Sequence, residues 1–315
     1  MNKIRMTSKK ENISVLVLLL LSLFFMTPKL HAQQDSQYTQ YMYNTVSINP
    51  AYAGSRESLS MLGIYRNQWV GLDGAPETLN FSAHSPIGIK GVGIGVGFLS
   101  DKIGPTSEDL LSVDFSYTIN LANELKLAFG IKGGISMWNL DPTKLNIHNQ
   151  NDVTLDQQSH NSPIVGTGLY LYSDKWYVGL STPNFLETTH YDDIQASTFT
   201  ERAHLYLIGG YVFKMNSGLK LKPAFLVKSV TGSPLALDLS LNALINNGLT
   251  IGFSYRLDAA VSVLAGFQLT DTIMIGYAYD YDTTELGNYN DGSHEILLRF
   301  ELGTRRSGIV NPRFF

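Results

Sequence analysis

The stretch Leu111-Ser112-Val113-Asp114-Phe115-Ser116-Tyr117-Thr118-Ile119-Asn120 alternates apolar and polar residues without a break. Period-two alternation places one set on each face of a β-strand, whereas an amphipathic helix needs apolar residues three and four apart. The same pattern runs outward in both directions. Upstream, residues 91–98 read Gly-Val-Gly-Ile-Gly-Val-Gly-Phe, with Val92, Ile94, Val96 and Phe98 on one face. Downstream, Leu125, Leu127, Phe129, Ile131 and Ile135 oppose Lys126, Lys132 and Ser136. Leu235, Leu237, Leu239 and Leu241 face away from Asp238, Ser240 and Asn242. Ile251, Phe253, Tyr255 and Leu257 oppose Ser254 and Arg256, and Ile273, Ile275, Tyr277 and Tyr279 oppose Gly276 and Asp280.

Segments of roughly 10 alternating residues separated by turns are the signature of an outer-membrane barrel. They begin near Leu59, Glu77, Gly91, Leu110, Glu124, Pro163, Lys175, Ala203, Gly218, Leu235, Gly248, Ala260, Asp271 and Ser293. The expected fold is all-β: a single transmembrane antiparallel β-barrel of about 14 strands over residues 57–303, with a tail at 304–315. A soluble sandwich would also alternate, but its second face would carry Lys, Glu and Asp for water. Here that face is mostly Gly, Ser, Thr, Ala and Asn with scattered charges, which suits a narrow or partly filled lumen. Tyr65, Trp69, Tyr117, Trp138, Trp176, Tyr177, Tyr255, Tyr279 and Tyr281 fall at strand ends, where an interfacial aromatic girdle is expected. The tight linkers Asn216–Gly218 and Asn246–Gly248 are expected on the periplasmic side, and the long polar loops Asn139–Asn161 and Pro183–Thr200 outside.

The first residues give the route of export. Lys3, Arg5, Lys9 and Lys10 precede an apolar run from Ile13 to Met26, Pro28 follows, and Ala32 stands before Gln33. Positive start, short apolar middle and small residue at the cut describe a signal peptide over residues 1–32. Its removal takes away five of the 23 Lys and Arg and one of the 27 Asp and Glu, leaving a net acidic chain. After the signal only Arg305-Arg306 is locally basic, so a nucleic-acid partner is not expected. There is no cysteine, which excludes disulfides and thiolate metal sites.

No catalytic constellation is assembled, and no cofactor is implied. The seven histidines include no His-Glu-x-x-His spacing, so no metal site is expected. The glycines of 91–97 precede no helix and therefore make no phosphate loop. Asp280, Asp282, Glu285, Asn288, Asn290 and Asp291 read as an acidic, solvated hairpin loop whose spacing matches no calcium loop. The informative segment is residues 33–56, which does not alternate and is rich in Tyr, Asn, Pro and Gly. Tyr at this density implies packing, either as a plug in the lumen or against a partner. Tyr38, Tyr41, Tyr43, Asn44, Asn49, Pro50 and Tyr52, with Trp69 downstream, are the candidate partner-binding residues.

The same residues carry a family resemblance. Gln40-Tyr41-Met42-Tyr43-Asn44, Ile48-Asn49-Pro50-Ala51-Tyr52-Ala53-Gly54-Ser55, Arg66-Asn67-Gln68-Trp69-Val70-Gly71 and Ser82-Ala83-His84-Ser85-Pro86 resemble PorP/SprF-type proteins of the type IX secretion system. Tyr177 to Ser181, Gly276 to Asp280 and Asn311 to Phe315 extend the resemblance along the mature chain. It implies a non-enzymatic outer-membrane component of a secretion and gliding apparatus that helps export or retain a secreted surface protein. The implied partners are an adhesin or other cargo with a C-terminal targeting domain, and the periplasmic ring and peptidoglycan-linked parts of the machine. A passive channel or transporter for small solutes is the alternative, which an open lumen with charged rings would favour.

Overall fold

The computed structural model describes residues 37–122, 124–144, 158–186, 188–189, 200–201 and 203–302. The chain divides into two compact units, Met1–Gln33 with Gly232–Pro234, and Gln34–Thr231 with Leu235–Phe315. Of the first unit only residues 232–234 are described; the second holds the sheet and the site.

Seven strands run up and down from the N-terminal side: β1 Leu59–Asn67, β2 Glu77–Pro86, β3 Val92–Ile103, β4 Thr106–Ala122, β5 Leu125–Leu140, β6 Gln158–Tyr172 and β7 Trp176–Thr182. Seven more follow: β8 His204–Tyr211, β9 Leu219–Val230, β10 Ala236–Ile245, β11 Leu249–Arg256, β12 Ala260–Gln268, β13 Ile273–Asp282 and β14 Ser293–Leu302. Phe213–Lys214 continues β8 against Lys220 and Leu221 of β9. Each strand pairs antiparallel with the next, and β1 pairs with β14 from Leu59↔Leu302 to Asn67↔His294, which closes the ring. Closure removes every free sheet edge, the condition for backbone to sit in lipid. The result is a 14-strand barrel, as the alternation predicts.

The faces decide the setting. Val113 is 60% exposed and Ile131 61%, while Asp114 and Lys132 beside them are buried. The pattern repeats around the ring, with Phe81, Val96, Leu241, Phe253, Val263 and Leu298 all exposed on the outside. A barrel with its apolar side outward on every strand is stable only where the solvent is hydrocarbon.

Two strands begin earlier than the alternation suggests, at Thr106 rather than Leu110 and at Gln158 rather than Pro163. Their extra residues are polar, because they rise above the apolar band and have no lipid to face. Pro163 is tolerated inside β6 for a topological reason. The Val165 carbonyl accepts from Phe185 N, and Val165 N donates to the Asn184 side chain, so odd-numbered residues here aim at the β7 side. The β6–β7 ladder has already ended at Thr167↔Thr182, so the N–H that Pro163 lacks costs no ladder bond.

The longest connections share one end of the barrel. The connections after β2, β4, β6, β8, β10 and β12 are short and share the opposite end. The strand ends that flank both long polar linkers are at the long-loop end, with residues 68–76 and 283–292, while residues 145–157 and 190–199 of the linkers lie outside the described residues. Their limits are narrower than expected, since Asn139 belongs to β5 and His160 and Asn161 to β6. The second also contains a two-residue ladder, Thr188–Thr189 with Thr200–Glu201. The tight turn Leu257–Ala259 sits at the long-loop end.

Candidate functional site

Residues 37–55 lie inside the ring of strands. A short helix, Thr45–Ile48, and a 3-10 turn, Pro50–Tyr52, break what would otherwise be an extended run. Asn49 accepts at its side chain from Ala51 N, and Pro50 supplies the first position of the turn, where a missing N–H costs nothing. Tyr38, Tyr41, Tyr43, Asn44, Asn49, Pro50 and Tyr52 are all buried. Trp69, the remaining candidate, is half-buried in the loop after β1.

The segment starts at the long-loop end. Gln37 Nε2 donates to Asp238 at 3.0 Å. The backbone N–H groups of Thr39 and Gln40 donate to the two oxygens of Glu295 at 3.0 and 2.9 Å. The Thr39 hydroxyl donates to Asp280. Arg66 binds both acids, 2.7 Å from Asp280 and 3.3 Å from Glu295, and Arg256 holds Asp238 at 2.9 Å. Midway, Asn44 Nδ2 donates to Asn80, and the Ser82 hydroxyl donates to Asn44 Oδ1. Tyr41 and Tyr43 lie outside the strands, and burial pushes both phenols above their ordinary range, so they stay protonated.

Toward the short-turn end the contacts change character. Lys132 Nζ donates to Ser47 O, the Ser181 hydroxyl to Ile48 O, and the Ser116 hydroxyl to Ala53 O. Asn49 Nδ2 donates to Leu169 O. The wall comes so close that side chains are excluded. A Cβ on Gly130 would lie 2.1 Å from Ala51 N, one on Gly93 2.3 Å from Ala53 O, and one on Gly168 2.1 Å from Asn49 Oδ1. Tyr52 packs edge-on against Tyr170 and His84, each with centroids 5.4 Å apart. The segment leaves at Arg56, which pairs with Glu301.

Three expectations are corrected. Inward charges are not few: Arg66, Asp114, Lys132, Lys222, Lys228, Asp238, Asp280, Glu295 and Arg299 are all buried. Several of them meet an opposite charge, as in Lys132–Asp114 at 3.3 Å and Arg66–Asp280 at 2.7 Å, while Lys222 and Arg299 lie over the rings of Tyr177 and Tyr43. Asp280 is not part of a solvated acidic loop but a buried strand residue bound by Arg66. Trp138 and Tyr177 do not join an outer girdle, since both are buried on the inner face. Strand parity carries the last point: Trp138 has the parity of Lys132 and Ser136, and Tyr177 lies opposite to Val178 and Leu180.

The sequence reading missed the residues that receive the segment, chiefly Arg66, Glu295, Asp238 and the glycines at 93, 130 and 168. A signal for the acid was present: Glu295 lies beside Ile296, and a charge next to a lipid-facing residue must point inward.

A family model described as type IX secretion system membrane protein PorP/SprF matches residues 30–300. The chain belongs to the PorP/SprF family. PorP/SprF proteins are non-catalytic transport and docking proteins, and membership implies interaction with components of that secretion system in the outer membrane. No curated protein matches the sequence. Among solved structures, the Acinetobacter baumannii outer membrane protein Omp33 is 8% identical, with TM-score 0.48 over 78% of this chain and 99% of that one. The Ralstonia pickettii toluene transporter TbuX is 11% identical, with TM-score 0.49 over 83% and 92%. The CymD monoaromatic hydrocarbon channel is 12% identical, with TM-score 0.49 over 84% and 92%.

Proposed function

We propose that this PorP/SprF barrel docks a particular secreted surface protein at the type IX machine and helps its export or retention. The single observation that carries the reading is the lumen. Residues 37–55 fill it with buried side chains and bond to the wall from one end to the other. A barrel occupied in this way suits a platform better than a pore. The partner is an adhesin or other cargo with a C-terminal targeting domain, and ring and peptidoglycan-linked components hold the barrel from the periplasm. Trp69 and the loops at the long-loop end form the contact surface, and the buried tyrosines fix the segment beneath it.

Removing the protein from cells should deplete one or a few secreted proteins from the surface proteome. Wild type should restore them, and Trp69→Ala should restore them poorly while the barrel remains folded. An unchanged surface proteome would sink this reading. The second reading, passive passage of small solutes, draws support from the charged inner wall, which favours it more than the sequence did. Lost solute uptake with an unchanged surface proteome would select it.

A further inference from the structure

We propose that residues 37–55 form a strap with one releasable end, the one at the long-loop mouth. The two halves are held by different chemistry. Gln37, Thr39 and Gln40 are held by wall carboxylates: Asp238, Asp280 and both oxygens of Glu295. These bonds are charge-assisted, but each exchanges for water when the chain moves out. Residues 49–54 also bond to the wall, at Asn49 to Leu169 O and at Ala53 O from Ser116, but what sets them apart is shape. Ala51 and Ala53 press their backbone against Gly130 and Gly93, and Gly54, at φ +68°, sits so close to Gly93 that a Cβ there would meet its Cα at 2.6 Å. Close packing of backbone on backbone releases only when the wall itself deforms. The mouth-side half therefore leaves first, peeling as far as the Asn44 contacts to Asn80 and Ser82, while the other half stays anchored. Anything that competes for the Glu295 carboxylate or pulls from the long-loop side opens the strap without opening the barrel. This holds whether the barrel's task is docking or solute passage.

The test uses the absence of native cysteine. Gln40→Cys and Ser55→Cys report the two halves in the purified, detergent-solubilised full chain, where a maleimide reaches both mouths. The side-chain oxygen and nitrogen of Gln40 make no hydrogen bond among the described residues, so the first replacement removes packing against Gly276 but no hydrogen bond to the wall. Glu295→Gln keeps the shape but sets an amide group against a backbone N–H, while Arg66 keeps Asp280 as its partner. It should raise the labelling rate at position 40 by about tenfold or more and leave position 55 unchanged. Asp280→Asn, which weakens the Thr39 bond instead, should act in the same direction, and retained heat-modifiability on mild gels shows that each barrel is folded. No rise at position 40 in either folded variant would overturn the proposal. So would an equal rise at both positions, which would make the segment one rigid body.

Discussion

Glycine positions in the wall carry most of the shape information at the level of single residues. Gly130 points inward and touches the strap, whereas a Cβ on Gly133, three positions along the same strand, would meet nothing within 4 Å. Gly130→Ala should therefore destabilise the folded barrel by about 1–3 kcal/mol, the usual cost of overpacking. Gly133→Ala should be close to neutral, and the temperature at which the heat-modifiable form is lost reads both. Equal effects would mean that the strap does not press on the wall. Alternation places Gly130 on the lumen face and Gly133 on the lipid face, but neither composition nor alternation says what lies in the lumen. The inward charges were obscured in a similar way. Asp280 and Glu295 sit on the last two strands and Arg66 on the first, and only the β1–β14 closure brings Arg66 to the two acids.

The strands themselves were the most legible feature. Alternation marks a residue as facing lipid or lumen one position at a time, so it survives in a single sequence, and eleven of the strands start within a residue of their expected place. It failed where β4 and β6 rise beyond the apolar band, because both faces there meet water and the period disappears. Direction across the membrane follows from the longest connections, which share one end although the tight turns 104–105 and 257–259 lie there too. A cysteine in place of Tyr289, which is 73% exposed in the loop after β13, should react with an impermeant maleimide on whole cells. A cysteine in place of Asn247, in the turn between β10 and β11, should react only after the outer membrane is opened. The reverse pattern would invert the barrel and place the releasable end of the strap in the periplasm.

For the molecule as a whole, the closed ring, the outward apolar face and the occupied lumen form one design. An apolar exterior commits the chain to the outer membrane, and a 14-strand ring leaves an interior that side chains of the wall alone do not fill. Residues 37–55 fill it with the Tyr-, Asn- and Pro-rich sequence that does not alternate. Its departure from the barrel pattern was visible in the sequence, but its path was not, because that depends on contacts with ten or more separate strand positions. A docking platform of this kind requires a lumen that is closed in the resting protein. Planar-bilayer recording of the purified mature chain tests this most directly. The full chain should incorporate without steady conductance, because the strap blocks the path from mouth to mouth. Stable, solute-sized conductance steps from the unmodified chain would contradict a closed lumen and make the barrel a channel.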